Sequence, residues 1–447
     1  MLPESPGQFQ FPADFRWGVA TSSHQFEGGN TNNQWQRWQD TGHIVSGDTV
    51  GLACNWWKNA EVDFDHAQNM GINALRLSIE WSRIEPHEGK WDDSAITRYR
   101  ALLQGLHDRN IEPMVTLHHF TNPLWLEDQG AFLNTKSIAL FERYVAHTVA
   151  ALSDLCDFWC TVNEPNVYTI IGYQIGEFPP GHHGNVREVF TAQANMARAH
   201  AAAYHAIHRI QPTARVGWAQ HYNIFDPARP HNLLDTWAAS LQDASFNEFF
   251  PHAVATGKAK NPYALIAGDL SMVKNTCDYI GINIYARDLV RFDIRSATLA
   301  FGKRGVAPNA PRGDVGMGTL YSENYPEAIV RIVQRVAPSG KPIYITENGI
   351  ADRSERVRPW VLNHAVEAMT RTLRQGYDLR GYYHWSLVDN FEWAAGWSLR
   401  FGLIGLDPVT QQRTWRRSAH FYREIIRARG LNRELIAAFH ADQFTPE

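Results

Sequence analysis

The chain lacks an excess of charge of either sign. Its 447 residues carry 42 Lys and Arg against 46 Asp and Glu, a formal net charge of −4, so no basic surface points to nucleic acid or anionic lipid. Cysteine is scarce as well. Cys54, Cys156, Cys160 and Cys277 have neither the density of a disulfide framework nor zinc-ligand spacing, and they read as buried free thiols. No run of about 18 apolar residues occurs, which excludes a spanning helix. Met1-Leu2-Pro3-Glu4-Ser5-Pro6 has no basic start and no apolar run, so we expect no signal peptide and a cytoplasmic enzyme. Solenoid-length repeats and low-complexity linkers are missing too, which favours one domain over 1–447 with a core from about 15 to 430.

Aromatic side chains are what the chain has in excess: 16 Trp, 16 Tyr and 22 Phe. Most must be core, but indole faces also suit the apolar C–H faces of sugars. From residue 15 onward strand patterns alternate with helical ones. Strands are predicted at 16–23, 74–81, 113–118, 158–163, 214–220, 277–285, 343–346 and 381–386, and helices at 61–71, 94–110, 137–155, 186–210, 327–336, 360–377 and 417–429. In 94–110 the helical spacing of Ile96, Tyr99, Leu102, Leu103 and Leu106 follows Ser94, an expected N-cap. Repeated strand–helix units with eight strands predict an α/β chain folded as a (β/α)8 TIM barrel. Two long irregular stretches, 30–59 and 287–325, follow the carboxyl ends of strands and are expected to wall a substrate pocket.

Two of these strands end in a carboxylate. Ile343-Tyr344-Ile345-Thr346 runs into Glu347 before the turn Asn348-Gly349, and Phe158-Trp159-Cys160-Thr161-Val162-Asn163 runs into Glu164, where Pro165 stops the pairing. Either Glu alone could be a helix cap or one half of a structural ion pair. Together at strand ends of a barrel they fit one enclosed site, and paired carboxylates across a scissile bond are the equipment of glycoside hydrolysis. His118 and His119 are adjacent on a strand and point to opposite faces. One belongs to the site and the other is packed outside, an arrangement poorly suited to a metal pair.

The segments 161–165 and 345–349 resemble the two catalytic motifs of glycoside hydrolase family 1, the β-glucosidase and β-galactosidase family. Segment 15–28 is similar to the family's N-terminal motif and 385–393 to its sugar-binding segment, all four in family order. The resemblance implies a retaining β-glycosidase with Glu347 as nucleophile and Glu164 as acid/base, their carboxyl groups about 5–5.5 Å apart. Glu347 must then be ionised and Glu164 protonated, which requires their environments to differ. Arg76 matches a family arginine expected to hold the Glu347 charge. Tyr285 matches the tyrosine that hydrogen-bonds the nucleophile, although Asn283-Ile284-Tyr285 stands where the family commonly has two adjacent tyrosines.

Gln25, His119, Asn163, Glu392 and Trp393 match positions that grip the sugar, Asn163 facing its 2-hydroxyl, and Trp385 matches the aromatic floor. Phe120 stands where the family usually shows Trp, which bears on sugar preference. Glu at 164, rather than the Gln of plant thioglucosidases, favours O-glycosides. Glu392 would repel a phosphorylated sugar. Segment 178–183 resembles a loop on the leaving-group side.

The implied substrates are small β-linked oligosaccharides or aryl and alkyl β-glycosides, glucosides first and galactosides or fucosides after them. No metal or organic cofactor is expected, and no nucleic-acid or membrane partner. Three rivals stay open: a transglycosidase on the same residues, an inactive sugar-binding barrel, and a barrel enzyme whose carboxylates hold a divalent metal.

Overall fold

The computed structural model describes residues 9–314 and 323–444. The apolar runs form eight parallel strands: β1 (Arg16–Ala20), β2 (Ala74–Ser78), β3 (Glu112–Thr116), β4 (Phe158–Asn163), β5 (Arg215–Pro227), β6 (Ile280–Phe292), β7 (Ile343–Asn348) and β8 (Leu379–Trp385). Each pairs with its neighbour in chain order, and β1 pairs with β8, so the sheet closes on itself. Helices α1 (Trp56–Met70), α2 (Asp93–His107), α3 (Lys136–Leu152), α4 (Val186–Ile210), α5 (Leu233–Asn247), α6 (Glu327–Val336), α7 (Arg358–Arg374) and α8 (Arg417–Ala428) lie between and after the strands. This is the (β/α)8 barrel.

Side chains fill the lumen, so the barrel is a core and not a pore. Phe158 meets Tyr279 and Tyr344 with ring centroids 4.9 and 5.0 Å apart, and Met114 and Tyr383 belong to the same cluster. Below this layer Arg16 of β1 and Arg215 of β5 both reach Glu112 of β3 at 2.9 Å. The amino end is thereby closed by packing and charge, and only the carboxyl end is left for chemistry.

Several boundaries differ from the sequence reading, some through contacts with distant segments and one through a local cap. β1 stops at Ala20, and Ser23–Glu27 is a short helix. There the Ser23 hydroxyl donates to Glu80 at 2.6 Å and its backbone N–H to Ser78 Oγ at 2.6 Å, which pulls the chain out of the strand. The cap of α2 is Asp92 and not Ser94. Its carboxylate accepts from the N–H groups of Ser94 and Ala95 and also from the Ser94 hydroxyl, at 2.5–3.3 Å.

β5 and β6 run past the expected ends at 220 and 285 because they go on pairing beyond the barrel rim, from Ile224↔Arg287 to Pro227↔Val290. Gly302–Gly305 then adds an antiparallel edge to β6. Parts of 287–325, residues 287–292, 302–305 and 323–324, are therefore sheet, while 315–322 lie outside the described residues. The stretch 30–59 likewise holds a helix, Gln34–Asp40, and the first turn of α1. All four cysteines are buried and free, and no described helix is long and apolar enough to cross a membrane.

Candidate active site

Glu164 and Glu347 line one cavity at the carboxyl end of the barrel, with His119, Phe120, Val167, Phe178, His221, Tyr285, Trp385, Glu392, Trp393 and Phe401. Three non-glycine residues in its wall hold left-handed backbone: Phe120 (φ 68°), Glu164 (φ 44°) and Trp393 (φ 47°). Such a conformation costs about 1–3 kcal/mol each and clusters where function needs it. At Glu164 the chain must turn from β4 directly into the helix Pro165–Thr169. Glu164 occupies that helix's N-cap position without any side-chain capping bond, so its carboxyl group is left for the cavity. At the other strand Gly349 is required by close approach: a Cβ there would lie 1.9 Å from the Trp385 carbonyl oxygen.

Glu347 is 4% exposed and receives a donor on each oxygen. Arg76 donates to Oε1 at 2.5 Å, and the Tyr285 hydroxyl donates to Oε2 at 2.7 Å. Arg76 is itself fully buried on β2, with its remaining N–H groups on Thr116 Oγ1 (3.0 Å) and Asn163 Oδ1 (2.6 Å). Burial opposes the Arg76 charge, but the Glu347 carboxylate beside it prevails and raises its pKa. Burial together with Glu347 likewise keeps the Tyr285 phenol protonated. Arg76 favours the ionised Glu347, as expected of a cation beside it, but burial is the larger influence. Burial lifts the carboxyl to about 7, with Glu164 adding to the rise and Tyr285 and Arg76 opposing it.

Around Glu164 the partners are different. Asn283 Nδ2 donates to its Oε1 at 2.8 Å, and His221 Nδ1 stands 2.9 Å from the same oxygen. No Lys or Arg pairs with it among the described residues. Neither Asn283 nor His221 was singled out for a role by sequence reasoning. Asn283 also donates to Asn163 Oδ1 at 3.1 Å, so the Asn163 amide oxygen is shared by Arg76 and Asn283 and ties the surroundings of the two glutamates together.

Because two donors fix the Asn163 oxygen, its Nδ2 faces His119 Nε2 at 3.1 Å, and that ring nitrogen accepts. His119 is neutral, since burial and then Arg76 push its pKa well below the ordinary value. Its proton therefore sits on Nδ1, which is buried without a protein partner, a donor in need of an acceptor. The His119 ring stacks at 6.1 Å on Trp385 and 6.0 Å on Trp393. Gln25 Nε2 donates to Asn390 Oδ1 at 2.8 Å and to Glu392 Oε2 at 3.2 Å. His118 points away and bonds Asn122 at 3.0 Å amid Phe132 and Tyr168. The structure thus gathers every expected site residue at one end of the barrel.

The profile of Glycosyl hydrolase family 1 matches residues 8–431. The chain belongs to this family. Among curated relatives of this glycosyl hydrolase, a β-galactosidase of Sulfolobus acidocaldarius is 31% identical over 95% of this chain and 96% of its own. Among solved structures, the β-glycosidase from Pyrococcus horikoshii superposes with a TM-score of 0.88 at 33% identity, covering 96% of this chain and 98% of that one. The β-glucosidase from Thermotoga maritima, solved in complex with deoxynojirimycin, gives 0.88 at 29% identity over 95% and 100%. The chain is a family 1 β-glycosidase.

Proposed function

We propose that the protein is a retaining β-glycosidase that removes terminal non-reducing β-D-glucosyl residues, and with them β-D-galactosyl and β-D-fucosyl residues, from small O-glycosides. One observation carries this reading, the asymmetry of donors on the two glutamates. Both oxygens of Glu347 already accept, from Arg76 and Tyr285; a proton on Oε1 would face the donor-only guanidinium, and one on Oε2 would require the Tyr285 hydroxyl to turn and give up the bond it donates. Glu164 takes both of its contacts on Oε1. Its Oε2 has no protein partner among the described residues and can hold the proton. The ionised Glu347 attacks the anomeric carbon and its oxygen–carbon bond forms as the glycosidic bond breaks. Glu164 Oε2 gives its proton to the departing oxygen, and in the second half of the cycle it takes a proton from the water that releases the sugar.

The bound sugar is met by the neutral His119, by Asn163 and by the Gln25–Glu392 pair, over Trp385 and Trp393. Glu392 at the wall disfavours a phosphorylated sugar by like charge. The test is release of p-nitrophenol from the β-glucoside by wild type, Glu164→Ala and Glu347→Ala, with and without azide. A β-glycosyl azide from Glu164→Ala and an α-glycosyl azide from Glu347→Ala are expected. Azide products of the opposite configuration, or full activity in both variants, would overturn the assignment.

A further inference from the structure

A second cavity, of about 210 Å³, adjoins the catalytic one and shares Phe178, Glu392 and Trp393 with it. Its other walls are Trp38, His43, Val45, Gly176, Glu177 and the small residues Ala394 and Ala395. Val167, His221 and Tyr285, which flank the two glutamates, line only the catalytic cavity. The second space therefore borders Glu392 and Trp393, two of the residues matched to the grip on the glycone, shares Phe178 at the edge of the loop expected on the leaving-group side, and does not reach the residues that flank the two glutamates.

Its contents suit a polyol. Glu177 is half-buried and has no hydrogen-bond or ion-pair partner among the described residues, and burial raises its pKa. A carboxyl group so placed gains from hydroxyl donors that the protein does not supply. Trp38 forms a fixed aromatic wall. His43 stacks on it at 3.8 Å and 17°, and Gly181 lets it sit where a Cβ would come within 2.6 Å of the indole edge. Trp393, on the shared wall, is held by Trp35 at 4.6 Å and His24 at 5.8 Å.

We infer that this cavity is a second saccharide subsite on the non-reducing side, so that the enzyme accepts β-glycosides whose glycone carries a further sugar and releases the disaccharide intact. The inference rests on the glycosidase reading above. Glu392, at the boundary, would face both units, and Glu177 would bind hydroxyls of the outer one.

The experiment uses p-nitrophenyl β-glucoside, β-gentiobioside and β-cellobioside with wild type, Glu177→Ala and Trp38→Ala, following the first sugar product by chromatography. Calorimetric titration with gentiobiose, cellobiose and glucose accompanies it. Intact disaccharide released together with p-nitrophenol from at least one bioside is expected. Glu177→Ala should weaken that release and the disaccharide binding by about tenfold, the size of one hydrogen bond to a charged group. Its kcat/KM on the simple glucoside should stay within about twofold, well inside the range of one weak contact.

Stepwise trimming of glucose from both biosides, or disaccharide binding that both variants leave unchanged, overturns the subsite and leaves the glycosidase reading standing. No turnover of any glycoside, with disaccharide binding still dependent on Glu177, overturns the glycosidase reading and keeps the subsite.

Discussion

Removing the Tyr285 hydroxyl, by Tyr285→Phe, isolates one donor to the proposed nucleophile without opening a cavity. That hydroxyl lies 2.7 Å from Glu347 Oε2 in a site where Glu347 is 4% exposed. A buried hydrogen bond to a charged group contributes about 1.5–3 kcal/mol, and one pKa unit is about 1.4 kcal/mol, so its loss should raise the Glu347 pKa by about 1–2 units. The direction follows from the contact, since the bond favours the ionised carboxylate. Glu347 already sits near 7 through burial, and attack requires its ionised form. The acid limb of kcat/KM for p-nitrophenyl β-glucoside should therefore move to higher pH by about 1–2 units. At pH 6 the variant should fall by about 10- to 100-fold, and raising the pH should recover part of the loss. The assay is initial rate at low substrate from pH 5 to 9, with circular dichroism to confirm folding. An acid limb that stays in place, with activity lowered equally at every pH, would refute the link between Tyr285 and the Glu347 charge.

Three further expectations follow from other contacts. His221→Asn removes the Nδ1 contact at 2.9 Å to Glu164. Activity on alkyl β-glucosides, whose leaving oxygen needs the proton, should drop about fivefold, while 2,4-dinitrophenyl β-glucoside stays within about twofold; an equal drop on both would rule out a role through Glu164. Asp389→Asn should lower stability by about 3 kcal/mol, read as an earlier urea midpoint, because Arg416 loses a paired charge. The native carboxylate takes Arg416 at 2.6 and 2.7 Å and also the N–H groups of Gly402 and Leu406. Gly349→Ala should cost both activity and melting temperature, given the 1.9 Å approach to Trp385. Gly340→Ala is the control, where the added Cβ meets nothing within 4 Å and only the φ of +67° opposes it; equal effects would show that crowding at Trp385 is not the cause.

The barrel was legible because its strands are short apolar runs, each followed by a helical pattern, and that signal is local. Helices 186–210 and 327–336 fall where their spacing places them. Misplaced boundaries came partly from competing local caps and partly from contacts with distant segments. Asp92 displaces Ser94 as a cap because its one carboxylate oxygen reaches two N–H groups and the Ser94 hydroxyl at once. Ser22 and Ser23 leave the first strand because Ser22 bonds Gln25 three residues on, while the partners of Ser23, Ser78 and Glu80, are brought up by tertiary folding.

For the site, spacing alone offered two strand-end carboxylates; Arg76, Tyr285 and the sugar-facing residues came with the family motifs. His221 escaped both routes, yet a signal for it existed. On β5, Trp218 and Tyr222 line a cavity outside the barrel, whereas His221 lines the catalytic one. Carrying the two-residue alternation past the expected end at Gln220 would have turned His221 inward beside Glu164. The Glu347 charge state was illegible for a different reason. Charge partners can be read from motifs, but burial is a property of the whole fold, and here burial is the largest influence on that carboxyl. Asn163 shows what this leaves for the protein to arrange: a single neutral amide holds Arg76 against Glu347, receives Asn283 from the Glu164 side and fixes the His119 tautomer. An Asp there would place a third carboxylate among two, pairing with Arg76 and weakening its hold on Glu347. The amide keeps the buried Arg76 for the nucleophile.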